Sequence, residues 1–375
     1  MDPRKDYIYL DHNATSVVRP EVCSKMLASY GGPHNASSTH AMGRAAKGFL
    51  EEARAFLSRY IDCEINNVFF TSGGTESNNM VLQSSRWEQI FCSSTEHDSV
   101  YRGPISHFIP VLSSGIIDIE ALELLLKGKG DKRTLVSIHW ANNETGVIQP
   151  IEEISKIVHR YHAWIHVDGV QVLGKIPFSF RKTEIDFLSL SAHKMGGPQG
   201  AGALIAKEEL LVPLFFGGGQ ERSLRAGTEN IAAIVGFGEA ICQIDLGIFE
   251  KLEAQHRDLE KELLEFSQGH GRPLSIIGKN APRLPNTTCL TMPEVPNQSQ
   301  LIYFDLKGIG VSIGSACSSR TVKPSRILRN MNLSEDIVRS AIRISSGWNT
   351  RESDFLEFKE AWKFLFLKHI QNQKM

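Results

Sequence analysis

TLVSIHWANNETGVIQPIEEISKIVHRYHAWIHVDGVQ (residues 134–171) changes its hydrophobic rhythm twice. Residues 134–140 are a short run rich in β-branched and aromatic side chains, as a buried strand requires. From Ile151 the spacing lengthens: Ile151, Ile154, Ile157, Val158 and Tyr161 fall on one face of a helix that opens after Pro150. Residues 164–168, WIHVD, return to a strand-like run and end on Asp168. Strand, helix, strand is the unit from which parallel sheets are built.

Outward from this unit the alternation continues, with VFFTSG at 68–73, IFCSST at 90–95, DFLSLSAH at 186–193 and GALIAK at 202–207. The rhythm predicts an α/β fold with a mostly parallel sheet flanked by helices. Met42, Ala45, Ala46, Phe49, Leu50, Ala53, Phe56 and Leu57 recur at three and four residues, which predicts an amphipathic helix over 40–60. Past Phe216 a Gly-rich stretch leads into a long helical region over 230–267, placed to bridge two lobes. The rest mixes strand-like TTCLTM and AIRISS with helices near 298–307, 334–340 and 352–370, a smaller α+β lobe. The expected division is a large domain over 16–245 and a small one made of 1–15 with 246–375. A chain of 375 residues usually exceeds one compact core, and ligands gather in the cleft between two.

Lys plus Arg total 41 against 42 Asp plus Glu, so no global field draws nucleic acid or anionic lipid. No apolar run is long enough to span a bilayer, and the start MDPRKDYIYLDHNATS lacks a signal core; a cytoplasmic location is the expectation. Six cysteines are scattered without a C-x-x-C pair, which argues against a metal centre and a disulfide framework alike. Five of them read as small buried hydrophobes. The sixth, Cys317, stands in GSACSSRTVKPS, an exposed-loop composition with Arg320 and Lys323 near enough in sequence to favour a thiolate.

Open α/β sheets bind ligands at the carboxyl ends of their strands, where HVDGVQ (166–171) and SLSAHK (189–194) place Asp168, Gln171, Ser191, His193 and Lys194. An Asp against a pyridinium nitrogen and a Lys for a Schiff base are what pyridoxal phosphate needs. Taken singly, Asp168 reads as a helix cap and Lys194 as a surface lysine. TSGGTESNN (71–79) adds a strand-to-helix junction whose backbone N–H groups, with Thr75, form a phosphate cradle, although Gly-Gly alone also makes a plain turn. His97, after one strand, is placed to lie on a ring and move protons, and Asn143, after another, to bond its phenolic oxygen; each also suits a hydrogen-bonded core.

Ten stretches, in order, resemble the cysteine desulfurases of the NifS/IscS group, in the class V aminotransferase-like branch of fold-type I pyridoxal-phosphate enzymes: YLDHNATS, NASSTHAMGRAA, TSGGTESNN, SSTEHDSV, ANNETGVIQPI, HVDGVQ, SLSAHKMGGPQGAG, GGGQERSLRAGTEN, GSACSS and AIRISSG. The resemblance implies a seven-stranded sheet in the large domain and the following roles. Lys194 forms the Schiff base, Asp168 partners the ring nitrogen and His97 stacks on the ring, while Gln171 and Asn143 meet the phenolic oxygen. Gly74, Thr75, Ser191 and His193 hold the phosphate together with Thr228 from the neighbouring subunit of a homodimer. Asn13 and Arg343 bind the substrate, Arg343 by its carboxylate, and Cys317 takes sulfur from L-cysteine as a persulfide, leaving alanine. An acceptor protein, an iron–sulfur scaffold among the options, then receives the sulfur. Two departures, Asn35-Ala36-Ser37-Ser38 for the family's Asn-Pro-Ser-Ser and His12 in the first motif, bear on the contour of the substrate entrance. Aminotransferase and selenocysteine lyase share the cofactor pocket, and a non-catalytic scaffold is the rival outside the enzymes.

Overall fold

The structure, a computed structural model, describes residues 7–314 and 324–372. Its strands are β1 (Ile8–Tyr9), β2 (Val68–Thr71), β3 (Gln89–Ser93), β4 (His107–Ile109), β5 (Thr134–His139), β6 (Trp164–Asp168), β7 (Phe187–Ser191), β8 (Gly202–Ala206), β9 (Thr287–Thr291), β10 (Ile309–Gly310) and β11 (Ala341–Ser345). Seven of them make one sheet in the order β2-β8-β7-β6-β5-β3-β4. From β4 to β7 every pair is parallel; β8 runs antiparallel to both β7 and β2. The central strands are buried along their whole length, which is why they read as continuous apolar runs rather than as alternating ones.

Helix Ala41–Ile61 forms where predicted and buries Ala46, Leu50, Ala53 and Leu57, while Met42 and Ala45 of the expected face stay exposed near its start. With helix Ile231–Cys242 it covers one side of the sheet in the main core. A second core gathers Trp362, Phe358, Phe366 and Phe304 around helices Leu246–Gly269, Asn297–Leu306 and Glu352–Asn372 and the β9–β11 pair. Leu10 joins that second core, because β1 pairs in parallel with β10.

The single helix expected over 230–267 is two helices bent by 71°. Residues 243–245 interrupt them, with Asn230 capping the first through Ala233 N and Asp245 capping the second through Gly247 N. The first half belongs to the main core and the second to the other, so this segment does link the two. Among the described residues no single helix is long and apolar enough to cross a membrane.

Candidate active site

A cavity of about 360 Å³ opens at the carboxyl ends of β5, β6 and β7. It receives all the site residues expected from the sequence except Thr228 and Cys317. Thr228 lines a separate cavity beside Thr71, Ser72 and Arg225. Cys317, with Arg320 and Lys323, lies outside the described residues.

Lys194 closes a single 3₁₀ turn directly after β7. Its Nζ donates to the carbonyls of Asn13 and Ala14, each at 2.7 Å. Burial, and secondarily Arg343, lower its pKa to about 8 against the opposing pull of Asp11 and Asp168. A lowered lysine pKa means that the neutral, nucleophilic amine gains population at lower pH. Relative to an ordinary value of 10.5, a pKa of about 8 raises the neutral fraction at pH 7 by about 300-fold. The rate at which the protein captures an aldehyde, trapped by borohydride, should therefore climb about tenfold per pH unit up to about pH 8 and then level off, where an unshifted lysine would keep climbing.

Asp168 ends β6 and is buried. Its Oδ2 accepts from Asn78 Nδ2 at 2.8 Å and its Oδ1 from Val170 N at 3.1 Å, so the carboxylate has a fixed aim. Asn78, one helical turn after Gly74, was not foreseen; its spacing from the glycine pair was the available signal. Asn78 also reaches Ser99 Oγ at 2.9 Å, and that hydroxyl meets His97 Nδ1 at 2.8 Å. A continuous polar chain thus runs from Asp168 to the exposed His97 ring.

Opposite them, β2 gives way to helix Gly74–Leu82 through Gly73, whose φ of 153° and ψ of 179° only glycine adopts readily. A Cβ on Gly74 would lie 2.5 Å from Val170 Cγ2, and one on Gly202 would lie 2.5 Å from Gly73 Cα. The backbone here is bare and the first amides of the helix have no partners within it, a cradle suited to phosphate. Gly73→Ala should cost about 1–3 kcal/mol in denaturant unfolding, and more of the phosphate affinity than of the fold. His193, bonded to Thr15 Oγ1 at 3.1 Å, is lowered to about 4 by burial and then by Lys194 and Lys175, so its ring is neutral at physiological pH.

Arg343 rises from β11 with Nη1 on Asn143 O at 2.8 Å and Nη2 on Asp11 Oδ1, leaving Nε buried with no partner. Arg343 also lines the cavity, where a guanidinium is suited to a carboxylate. Asn13, expected beside it as a substrate ligand, has its side chain committed: Nδ2 to Asn143 O and Thr287 Oγ1, Oδ1 to Lys175 and Asn286. It shapes the wall that Arg343 grips. Gln171 Nε2 donates to Asn13 O at 3.0 Å.

His12 does not contour the entrance. It is buried, bonded to Ser16 Oγ at 2.8 Å, and packs where a Cβ on Gly347 would lie 2.0 Å from its ring. Cys23 and Cys242 are exposed rather than buried; Cys92 and Cys289 are buried and Cys63 half-buried. Lys175 and Asp11 were also unforeseen, although a lysine among the apolar residues 172–176 was a visible oddity.

An amine and a carboxylate facing one cavity, an exposed ring beside them and a bare helix start suit a planar aromatic aldehyde that carries a phosphate. The donor set fits the group expected from the sequence.

The profile of the aminotransferase class-V family matches residues 8–358. The chain is 36% identical over 371 residues to "Cysteine desulfurase IscS" of Dictyoglomus turgidum, covering 93% of this chain and 92% of that one. It is 38% identical over 365 residues to "Cysteine desulfurase" of Cereibacter sphaeroides, covering 92% of each. A NifS-like protein from Rickettsia africae superposes with a TM-score of 0.87 at 38% identity, over 96% of this chain and 99% of the other.

Proposed function

The chain belongs to the aminotransferase class-V family and stands among its cysteine desulfurases, and from that premise we propose that it uses pyridoxal phosphate on Lys194 to convert L-cysteine to L-alanine. The observation that carries the reading is the single cavity shared by Lys194, Asp168 and the Gly73–Gly74 junction. When bound, the cofactor supplies an electron sink for the carbon bearing the substrate's amino group.

The remaining work falls to the chain's own side chains. Asp168, aimed by Asn78 and Val170 N, keeps the ring nitrogen protonated. Gly74, Thr75, Ser191 and His193 hold the phosphate, joined by Thr228 of the partner subunit in a homodimer. Thr228 is exposed on its own chain, as a residue lent across a two-fold axis must be. Gln171 and Asn143 face the ring's oxygen substituent, and His97 covers the ring. Arg343, which lines the cavity, takes the substrate carboxylate. Displaced by the incoming amine, Lys194 Nζ removes the substrate's Cα proton and returns it.

Sulfur leaves through Cys317. Its thiolate forms an S–S bond to the substrate sulfur while the substrate's C–S bond breaks, and a proton completes the methyl group of alanine. Cys317 is left as a persulfide, and an acceptor protein, such as an iron–sulfur scaffold, takes the outer sulfur. The test is direct: protein loaded with pyridoxal phosphate, mixed with L-cysteine and a thiol reductant, should yield alanine and sulfide in equal amounts. Absence of alanine would leave a non-catalytic scaffold as the better description.

A further inference from the structure

Beside the cavity lies a buried amine that the chemistry above does not use. Lys175 is 3% exposed, and its Nζ lies 2.8 Å from both Gln171 Oε1 and Asn13 Oδ1. Burying an amine costs free energy that a methionine of similar shape would not. Burial, then the neighbouring Lys194 and Arg343, hold this amine well below the ordinary lysine pKa. A core that merely needed filling would not carry it.

What the amine supplies is direction. An amide oxygen only accepts hydrogen bonds, so a donor against it decides which way the amide faces. With Oε1 held by Lys175, the Gln171 NH₂ must turn the other way. One of its N–H groups reaches Asn13 O at 3.0 Å, and the second is left for the cavity that Gln171 lines. Asn13 is oriented by the same nitrogen together with Asn286 Nδ2, both of which donate to its Oδ1, so that its NH₂ holds Asn143 O at 3.2 Å and Thr287 Oγ1 at 2.9 Å. Asn13 O in turn accepts from Lys194, and Asn143 O from Arg343. One buried nitrogen therefore touches both amides whose groups lead on to the amine and the guanidinium of the site.

We infer that Lys175 is a positioning residue that makes Gln171 a committed hydrogen-bond donor toward the oxygen substituent of the bound ring. The inference rests on the proposal that pyridoxal phosphate is joined to Lys194. A donor at that oxygen draws charge toward it, so the nitrogen linking ring to Lys194 gives up its proton at lower pH. Without Lys175 the amide can turn its oxygen into the cavity, and the proton is held more tightly.

The experiment uses the full chain loaded with pyridoxal phosphate and follows its visible absorbance as pH is raised. In Lys175→Met the midpoint should rise by about one pH unit. Because loss of a nearby charge would act in the same direction, the change is repeated in a Gln171→Leu background, where Lys175→Met should add no further shift. An unchanged midpoint in the single variant, or an equal shift in both backgrounds, overturns the inference. Wild-type protein that shows no visible band on loading would instead refute the cofactor proposal. Should the Lys175 variants fail to fold, wild-type protein with ¹⁵N in its glutamine side chains decides. The Gln171 amide signal, assigned by its loss in Gln171→Leu, should move when pyridoxal phosphate is added, and a stationary signal overturns the inference.

Discussion

Lys194→Ala is expected to lower formation of both alanine and sulfide from L-cysteine by at least about a thousand-fold, since covalent attachment and proton transfer are lost together. The protein should stay folded. Lys194 sits on a one-turn 3₁₀ segment, and the Asn13 carbonyl it releases still accepts from Gln171 Nε2 at 3.0 Å. Ala14 lines the cavity, so water can replace the amine at its carbonyl. Asp168 and the Gly73–Gly74 cradle do not depend on Lys194 for their own contacts. Pyridoxal phosphate should then bind reversibly, without a borohydride-fixed adduct at position 194, and the mass of the reduced protein measures this. A variant that still fixed the cofactor would place the reactive amine elsewhere.

How much of this was legible depended on whether a residue's task is local. The strand–helix–strand unit of 134–171 could be read because both strands are buried on two faces and the helix between them has one apolar side. The edge strand β4 could not: it is three residues long, with His107 and Phe108 exposed, and Pro110 follows it directly. The break at 243–245 was hidden because apolar spacing continues on both sides while the buried face changes core. In the site, residues at strand ends announced themselves. Partners brought from elsewhere did not: Asp11 meets Arg343 across 332 positions and Lys175 meets Asn13 across 162. His12 misled for the same reason, since its burial is decided by the glycine at 347.

Cys317→Ala should separate sulfur transfer from cofactor binding. The cavity's described walls hold the amine, the carboxylate and the cradle without it, so the loaded variant should keep its visible absorbance and its borohydride-fixed adduct. Sulfide release under reductant should nevertheless fall by at least about a thousand-fold, the order expected when a nucleophile is removed from a set that acts as a unit. In the proposed step the substrate's sulfur forms a new bond as its C–S bond breaks, and a methyl group has no electron pair to offer. No other cysteine can stand in. Burial pushes the Cys92, Cys289 and Cys63 thiols up, the last two to about 12, which keeps them protonated and unreactive. Cys23 and Cys242 are exposed, but neither they nor the three buried or half-buried cysteines line the cavity. Transamination makes no use of a thiol, and neither does lysis of a carbon–selenium bond whose selenium leaves unaided. A Cys317→Ala protein with undiminished turnover of L-cysteine would therefore make the chain an aminotransferase or a lyase, whereas loss of sulfide with the absorbance intact makes the Cys317 sulfur the atom through which substrate sulfur leaves.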